Sequence, residues 1–205
     1  MLAIINYGAG NLRSVQKACE YIGETAVITD NQNEILKADR VILPGVGSFG
    51  SCMSAIRNAG LVDCIHEVID NGTPFLGICL GLQLLFEASE EDPGESGLGI
   101  FKGRCVKIPP ADGIKIPHIG WNSITFPNPS PLFRGIDEGS FVYFVHSYYM
   151  KPEDKSIITA ACDYSKELPV ALSRGNVHAT QFHPEKSGKV GLDILKNFIA
   201  IGGDK

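Results

Sequence analysis

No stretch of these 205 residues approaches the roughly 20 consecutive apolar residues that a membrane-spanning helix needs. Basic residues are not in excess either. Lys and Arg total 18 against 23 Asp and Glu, a formal net charge of -5, whereas nucleic acid and anionic membranes select for basic patches; neither is expected as a partner. The sequence lacks any Cys-x-x-Cys, so neither a zinc site nor a thioredoxin motif is indicated. Its six cysteines, Cys19, Cys52, Cys64, Cys79, Cys105 and Cys162, are scattered and expected to be reduced, most of them filling core. The opening Met-Leu-Ala-Ile-Ile-Asn has no basic n-region, so no secretory signal and a cytoplasmic location are expected. Gly8-Ala9-Gly10 lacks the third glycine of a dinucleotide fingerprint, since Arg13 stands in that place, and His66 and His178 have no metal-ligand spacing. No cofactor and no metal are expected. Repeats, low-complexity tracts and linkers are missing too. One domain over 1–205, large enough to bury a substantial core, is the expectation.

What is there alternates strand with helix. Leu2–Asn6, Ala26–Thr29, Arg40–Leu43 and Pro74–Ile78 read as short apolar strands. Leu12, Val15, Cys19 and Ile22 recur at helical spacing and end at Gly23, and helices are predicted for Gly50–Asn58, for Leu61–Asp70 and after Cys79. Such alternation implies a parallel sheet covered on both faces. In the second half, Lys102–Ile108, Asn122–Phe126, Ser140–Val145, Ile157–Cys162, Pro169–Ser173 and Val177–Phe182 read as strands on short connections. The fold class is therefore α/β, with a mostly parallel central sheet flanked by helices and an antiparallel or mixed extension. A helix over Gly188–Ile201 closes it, and Glu90–Gly97 reads as a solvated loop.

Gly77-Ile78-Cys79-Leu80-Gly81 has the G-x-nucleophile-x-G pattern of a nucleophile elbow, a strained turn from a buried strand into a helix. Side chains flanking the nucleophile would collide with neighbouring backbone, hence the two glycines. Such a turn holds sulfur at a helix N-terminus, where partial positive charge favours thiolate. It also aims the backbone N–H of Leu80 at an oxyanion forming on a substrate. Taken alone, the motif suits a buried cysteine beside a strand-ending glycine equally well. His183-Pro184-Glu185 tips the balance: a histidine at a strand end, with a carboxylate two positions on, makes a base and its orienter. Pro44-Gly45-Val46-Gly47-Ser48-Phe49-Gly50 follows the third strand, at the sheet edge where open α/β sheets build their sites.

The elbow and the His-Pro-Glu resemble the motifs of triad-type, class I glutamine amidotransferases. Within that family, Asn6–Leu12, Pro44–Gly50, Pro117–Asn122, Tyr143–Tyr148 and His183–Ser187 resemble the glutaminase subunits of imidazole glycerol phosphate synthases. The likeness runs along essentially the full chain, with no departure at a catalytic position. It implies that Cys79 attacks the carboxamide of L-glutamine, that His183 shuttles the proton and that Glu185 orients His183. It further implies that Gln83 contacts glutamine, and that amides of Leu80 and of the Val46–Gly47 region form the oxyanion hole. In these enzymes the Pro-Gly-Val-Gly peptide can rest with the wrong group facing the hole. Ammonia passes to a barrel-shaped cyclase subunit, the expected heterodimer partner, which makes imidazole glycerol phosphate and an aminoimidazole carboxamide ribotide in histidine biosynthesis. Asn11, Trp121, Tyr143, His146 and Lys186 match positions near that interface, although a core position suits Trp121, the one tryptophan, equally well. His118 receives no catalytic role. Competing expectations are a glutaminase for pyridoxal phosphate or anthranilate synthesis, a cysteine peptidase on a related fold, and a binding protein with a relic triad.

Overall fold

Period-two alternation in the first strands sets up two cores. In the computed structural model, which describes residues 1–202, β1 (Leu2–Ile5) sends Ala3 and Ile5 to one face and Leu2 and Ile4 to the other. On the first face they meet Ile35 of α2 (Gln32–Leu36), Met53 and Ile56 of α3 (Phe49–Asn58), and Ile65 and Val68 of α4 (Val62–Asp70). On the second they meet Val15 and Cys19 of α1 (Leu12–Tyr21) and Ile194, Leu195 and Phe198 of α6 (Gly188–Ala200). Both faces of the sheet are thus dry, as near-continuous apolar strands require.

Among the described residues, the central sheet has seven strands. β2 (Ala26–Thr29), β1, β3 (Arg40–Gly45), β4 (Phe75–Cys79) and β12 (Val177–Thr180) run parallel in that order. β11 (Lys166–Arg174) and β10 (Ile158–Tyr164) extend it antiparallel beyond β12. The expected mostly parallel sheet with an antiparallel extension is what forms. Two small sheets stand beside it: β5 (Phe86–Ser89), β6 (Phe101–Lys107) and β9 (Tyr148–Pro152), and the antiparallel pair β7 (His118–Ser123) and β8 (Phe141–His146). All six cysteines are buried and free. Among the described residues, no helix is long and apolar enough to cross a membrane.

Several elements depart from the sequence reading. The helix after Cys79, α5 (Leu80–Leu84), lasts only five residues before the chain turns into β5, because Phe86 must reach the ring of Phe101 on β6. β3 continues through Pro44 to Gly45; its pairing with β1 stops at Ile42, so the missing N–H of Pro44 falls where one neighbour has already ended. The strand expected over Asn122–Phe126 lies instead at His118–Ser123, in register with β8. β9 follows β8 after the single residue Ser147, with no glycine or proline to mark the break. α2 was hidden by its polar sequence, and forms because Asn31 Oδ1 accepts the backbone N–H groups of Asn33 and Glu34 at 2.9 and 3.3 Å. Glu90–Gly97 is not simply a solvated loop. Glu91 accepts the N–H of Phe49 at 2.8 Å and Asp92 that of Gly50 at 2.7 Å, so two carboxylates cap α3 from outside its own sequence.

Candidate active site

β4 hands over Cys79 in a backbone conformation that few side chains adopt, φ 57° and ψ −112°. Close packing forces that turn. A Cβ on Gly81 would lie 1.9 Å from the Leu43 carbonyl oxygen, and one on Gly77 would lie 2.9 Å from the carbonyl oxygen of Gly81. Gly45 of β3, in register with Cys79, is equally confined, its Cβ meeting the Gly81 nitrogen at 2.7 Å. The elbow therefore needs three glycines, one of them from the neighbouring strand.

β12 is hydrogen-bonded to β4, with Thr180 in register with Ile78, and the chain beyond it carries His183 to the same sheet edge. His183 Nδ1 and Glu185 Oε1 lie 2.8 Å apart, both side chains almost wholly buried. That contact assigns the proton to Nδ1 in the neutral ring, leaving the buried Nε2 for the neighbouring sulfur. Burial disfavours the imidazolium, yet hydrogen bonding and charge from Cys79 and Glu185 outweigh it and lift the His183 pKa to about 9. α5 is so short that its dipole is a minor influence at its N-terminus.

The sulfur and imidazole open onto a cavity of about 400 Å³, whose lining includes Val46, Gly47, Cys79, Leu80, Gln83, His146, His183 and Lys186. Glu185 stands behind His183, outside the cavity. Gln83 donates to Gln181 Oε1 at 2.9 Å, and its own Oε1 is buried and unpaired, an open acceptor. Gly47 takes φ +109°, and the Val46 carbonyl accepts from the Cys52 thiol at 3.3 Å, beside Tyr7, whose hydroxyl donates to the Pro44 carbonyl at 2.9 Å.

The residues expected near an interface divide. Trp121 is 55% exposed, settling its position in favour of the surface, and Tyr143 meets it edge-on with ring centroids 6.1 Å apart. Lys186 is exposed at the cavity wall and Asn11 half-buried at the start of α1. His146 lies beneath that face, only 5% exposed; its Nδ1 donates to the Tyr148 carbonyl at 2.8 Å and its Nε2 accepts from His118 at 3.0 Å. Burial pushes both rings down to about 4, so each is neutral at pH 7.

Sequence reasoning missed Glu91, Tyr148 and Gln181. Glu91 and Tyr148 line the cavity, and fully buried Gln181 donates to the Cys79 sulfur at 3.7 Å. The acidic run Glu90-Glu91-Asp92 hid Glu91 as solvated charge. Gln181 offered a signal, an amide in an apolar strand immediately before Phe182-His183. Among the described residues, no three His, Cys, Asp or Glu gather as a metal site.

The family described as glutamine amidotransferase class-I matches residues 3–201. The chain is 51% identical over 203 residues to imidazole glycerol phosphate synthase subunit HisH of Syntrophotalea carbinolica, covering 97% of this chain and 98% of that one. It is 50% identical over 201 residues to the HisH subunit of Methanocaldococcus jannaschii, covering 98% and 100%. Among solved structures, a glutamine amidotransferase superposes with TM-score 0.75 at 18% identity, covering 96% of both chains. PurLQS from Thermotoga maritima superposes with TM-score 0.74 at 19% identity, covering 97% and 96%; these two likenesses speak to the fold. With sulfur, imidazole and carboxylate gathered at one sheet edge and a family match spanning almost the entire chain, this protein belongs to the class I glutamine amidotransferases.

Proposed function

We infer that the chain is the glutaminase subunit of an imidazole glycerol phosphate synthase, hydrolysing L-glutamine to glutamate and ammonia. The observation that carries the chemistry is the convergence of Cys79, His183 and Glu185 from adjacent strands β4 and β12. Half-identity to HisH subunits along nearly the whole chain supports the particular synthase. We read residues 1–205 as one amidotransferase domain, supported by the family match over 3–201, and a cytoplasmic location as fitting a biosynthetic role.

In this reading the Cys79 thiol proton has passed to His183 Nε2 before attack, as the raised His183 pKa implies, and Cys79 Sγ attacks the carboxamide carbon of glutamine from that ion pair. The oxyanion is met by backbone amides of Leu80 and of the Val46–Gly47 region. His183 returns the proton to departing ammonia, leaving a glutamyl thioester. Water, deprotonated by His183, then releases glutamate and restores the thiol. Glu185 holds the imidazole tautomer throughout. The open Oε1 of Gln83 is an acceptor for substrate N–H groups, and the Glu91 carboxylate in the wall complements the α-ammonium group.

Ammonia released to water would be lost, so a partner must seal the cavity. Val46 (41% exposed), Ile119 (61%), Trp121 (55%), Phe141 (56%) and Val145 (36%) bring apolar surface to the β7–β8 hairpin and the cavity wall, supporting a docked cyclase subunit in a heterodimer. The test is glutamate release on mixing with the cyclase subunit and its nucleotide ligand. Release above a Cys79→Ala control is expected; release no greater than that control overturns the reading.

A further inference from the structure

β8 touches the catalytic histidine through a closed ring of three hydrogen bonds. His183 N–H donates to the Tyr143 carbonyl at 3.1 Å. Tyr143 N–H donates to Ser187 Oγ at 2.9 Å, and that hydroxyl donates in turn to the His183 carbonyl at 2.7 Å. Both backbone polar groups of Tyr143 and both of His183 are thereby fixed against one another. Ser187, 2% exposed, is the one side chain in the ring and serves as donor and acceptor at once. Its own position is tight: Gly191 N–H donates to the Ser187 carbonyl at 3.2 Å, and a Cβ on Gly191 would lie 2.8 Å from that of Ser187.

The opposite side of the same strand pair is surface. Trp121 stands opposite Tyr143 in the β7–β8 register, and the two rings meet edge-on. A load on the Trp121–Tyr143 face therefore acts on a peptide unit hydrogen-bonded directly to the backbone of His183. Ser187 completes that connection.

We propose that Ser187 is a positioning residue, fixing the backbone of His183 to Tyr143 so that the imidazole keeps its place between Cys79 and Glu185 and follows the β7–β8 hairpin. The proposal rests on the glutaminase reading for its kinetic arm and on the hydrogen-bond ring alone for its spectroscopic arm. Without the hydroxyl, Tyr143 N–H loses its acceptor and the His183 carbonyl keeps only the Lys186 N–H at 3.0 Å, which does not reach β8, while every cavity-lining side chain stays in place. Small displacements at a reacting group cost rate rather than affinity.

The experiment compares Ser187→Ala and Ser187→Thr with wild type in complex with the cyclase subunit. Ser187→Ala is expected to lower kcat for glutamine hydrolysis roughly tenfold, with KM moving less than about twofold, and Ser187→Thr, which keeps the hydroxyl, to restore most of the rate. An unchanged kcat in Ser187→Ala, or equal loss in both variants, overturns the proposal. In parallel, the His183 ring is titrated by NMR in each folded protein. A pKa displaced in Ser187→Ala and restored in Ser187→Thr supports the ring; identical titrations in all three overturn it. A wild-type complex no more active than Cys79→Ala would defeat the glutaminase reading alone, and the titration would then decide the ring by itself.

Discussion

Nδ1 of His183 faces Oε1 of Glu185 at 2.8 Å although only Pro184 separates them in the chain. So short a span forces the carboxylate to approach from behind the ring, leaving the far nitrogen for sulfur. Glu185→Gln keeps the size and an acceptor oxygen but removes the charge that stabilises imidazolium. Glutamine hydrolysis by the complex should fall by about 10²- to 10⁴-fold in kcat with little change in KM, measured by coupled glutamate detection.

The same pair sets a pH dependence of stability. His183 has a folded pKa of about 9, raised from 6.5, so its contribution is complete below pH 6.5 and disappears as pH rises through 9. Its size is on the order of 3 kcal/mol. Cys79→Ala removes one of the groups holding the proton, so urea denaturation from pH 6 to 10 should show a smaller alkaline loss in that variant. His118, His146 and His178 act in the opposite sense. Burial holds each near 4, so the unfolded chain binds protons first, and stability that is full above 6.5 is lost as pH falls toward 4. The acid limb should steepen by up to about 1.4 kcal/mol per pH unit for each histidine.

Gly81→Ala places a methyl 1.9 Å from the Leu43 carbonyl oxygen, against backbone that cannot yield. A loss of more than about 4 kcal/mol is expected, seen as failure to accumulate folded protein. Gly94→Ala, at an exposed site with nothing within 4 Å, should stay within about 0.5 kcal/mol in thermal melts.

Trp121→Ala should leave the isolated subunit as stable as before, because the ring is 55% exposed. Affinity for the cyclase subunit should fall by about 2 kcal/mol or more, roughly 30-fold in Kd by calorimetry. Being the only tryptophan, Trp121 also gives a direct fluorescence signal for docking in the wild type.

How far the sequence was legible follows from the range of the interactions involved. Cys79, His183 and the alternating strands announce themselves because period-two burial and a glycine-flanked turn are local. That Gly45 would share the elbow's packing is non-local; it depends on the register of β3 with β4. Glu91 and Asp92 looked like solvated charge because their donors, the N–H groups of Phe49 and Gly50, lie 42 positions away. β5 was masked by the helical spacing of Leu80, Leu84 and Leu85, which packing on β6 cuts short. Trp121 could not be placed from sequence, since an isolated aromatic suits interior and surface alike; the exposed side of a two-stranded hairpin decided it.

The hairpin of β10 and β11 supplies no chemical group, yet it lies along the free side of β12. Without it the strand leading to His183 would be the sheet's outer rail, open to register slippage and to pairing with a foreign strand. The strand that carries Cys79 is guarded by neighbours on both flanks in any case. The placement of His183 thus depends on a late, chemically silent part of the chain, and lesions in residues 158–174 should displace the imidazole well before they disturb the sulfur.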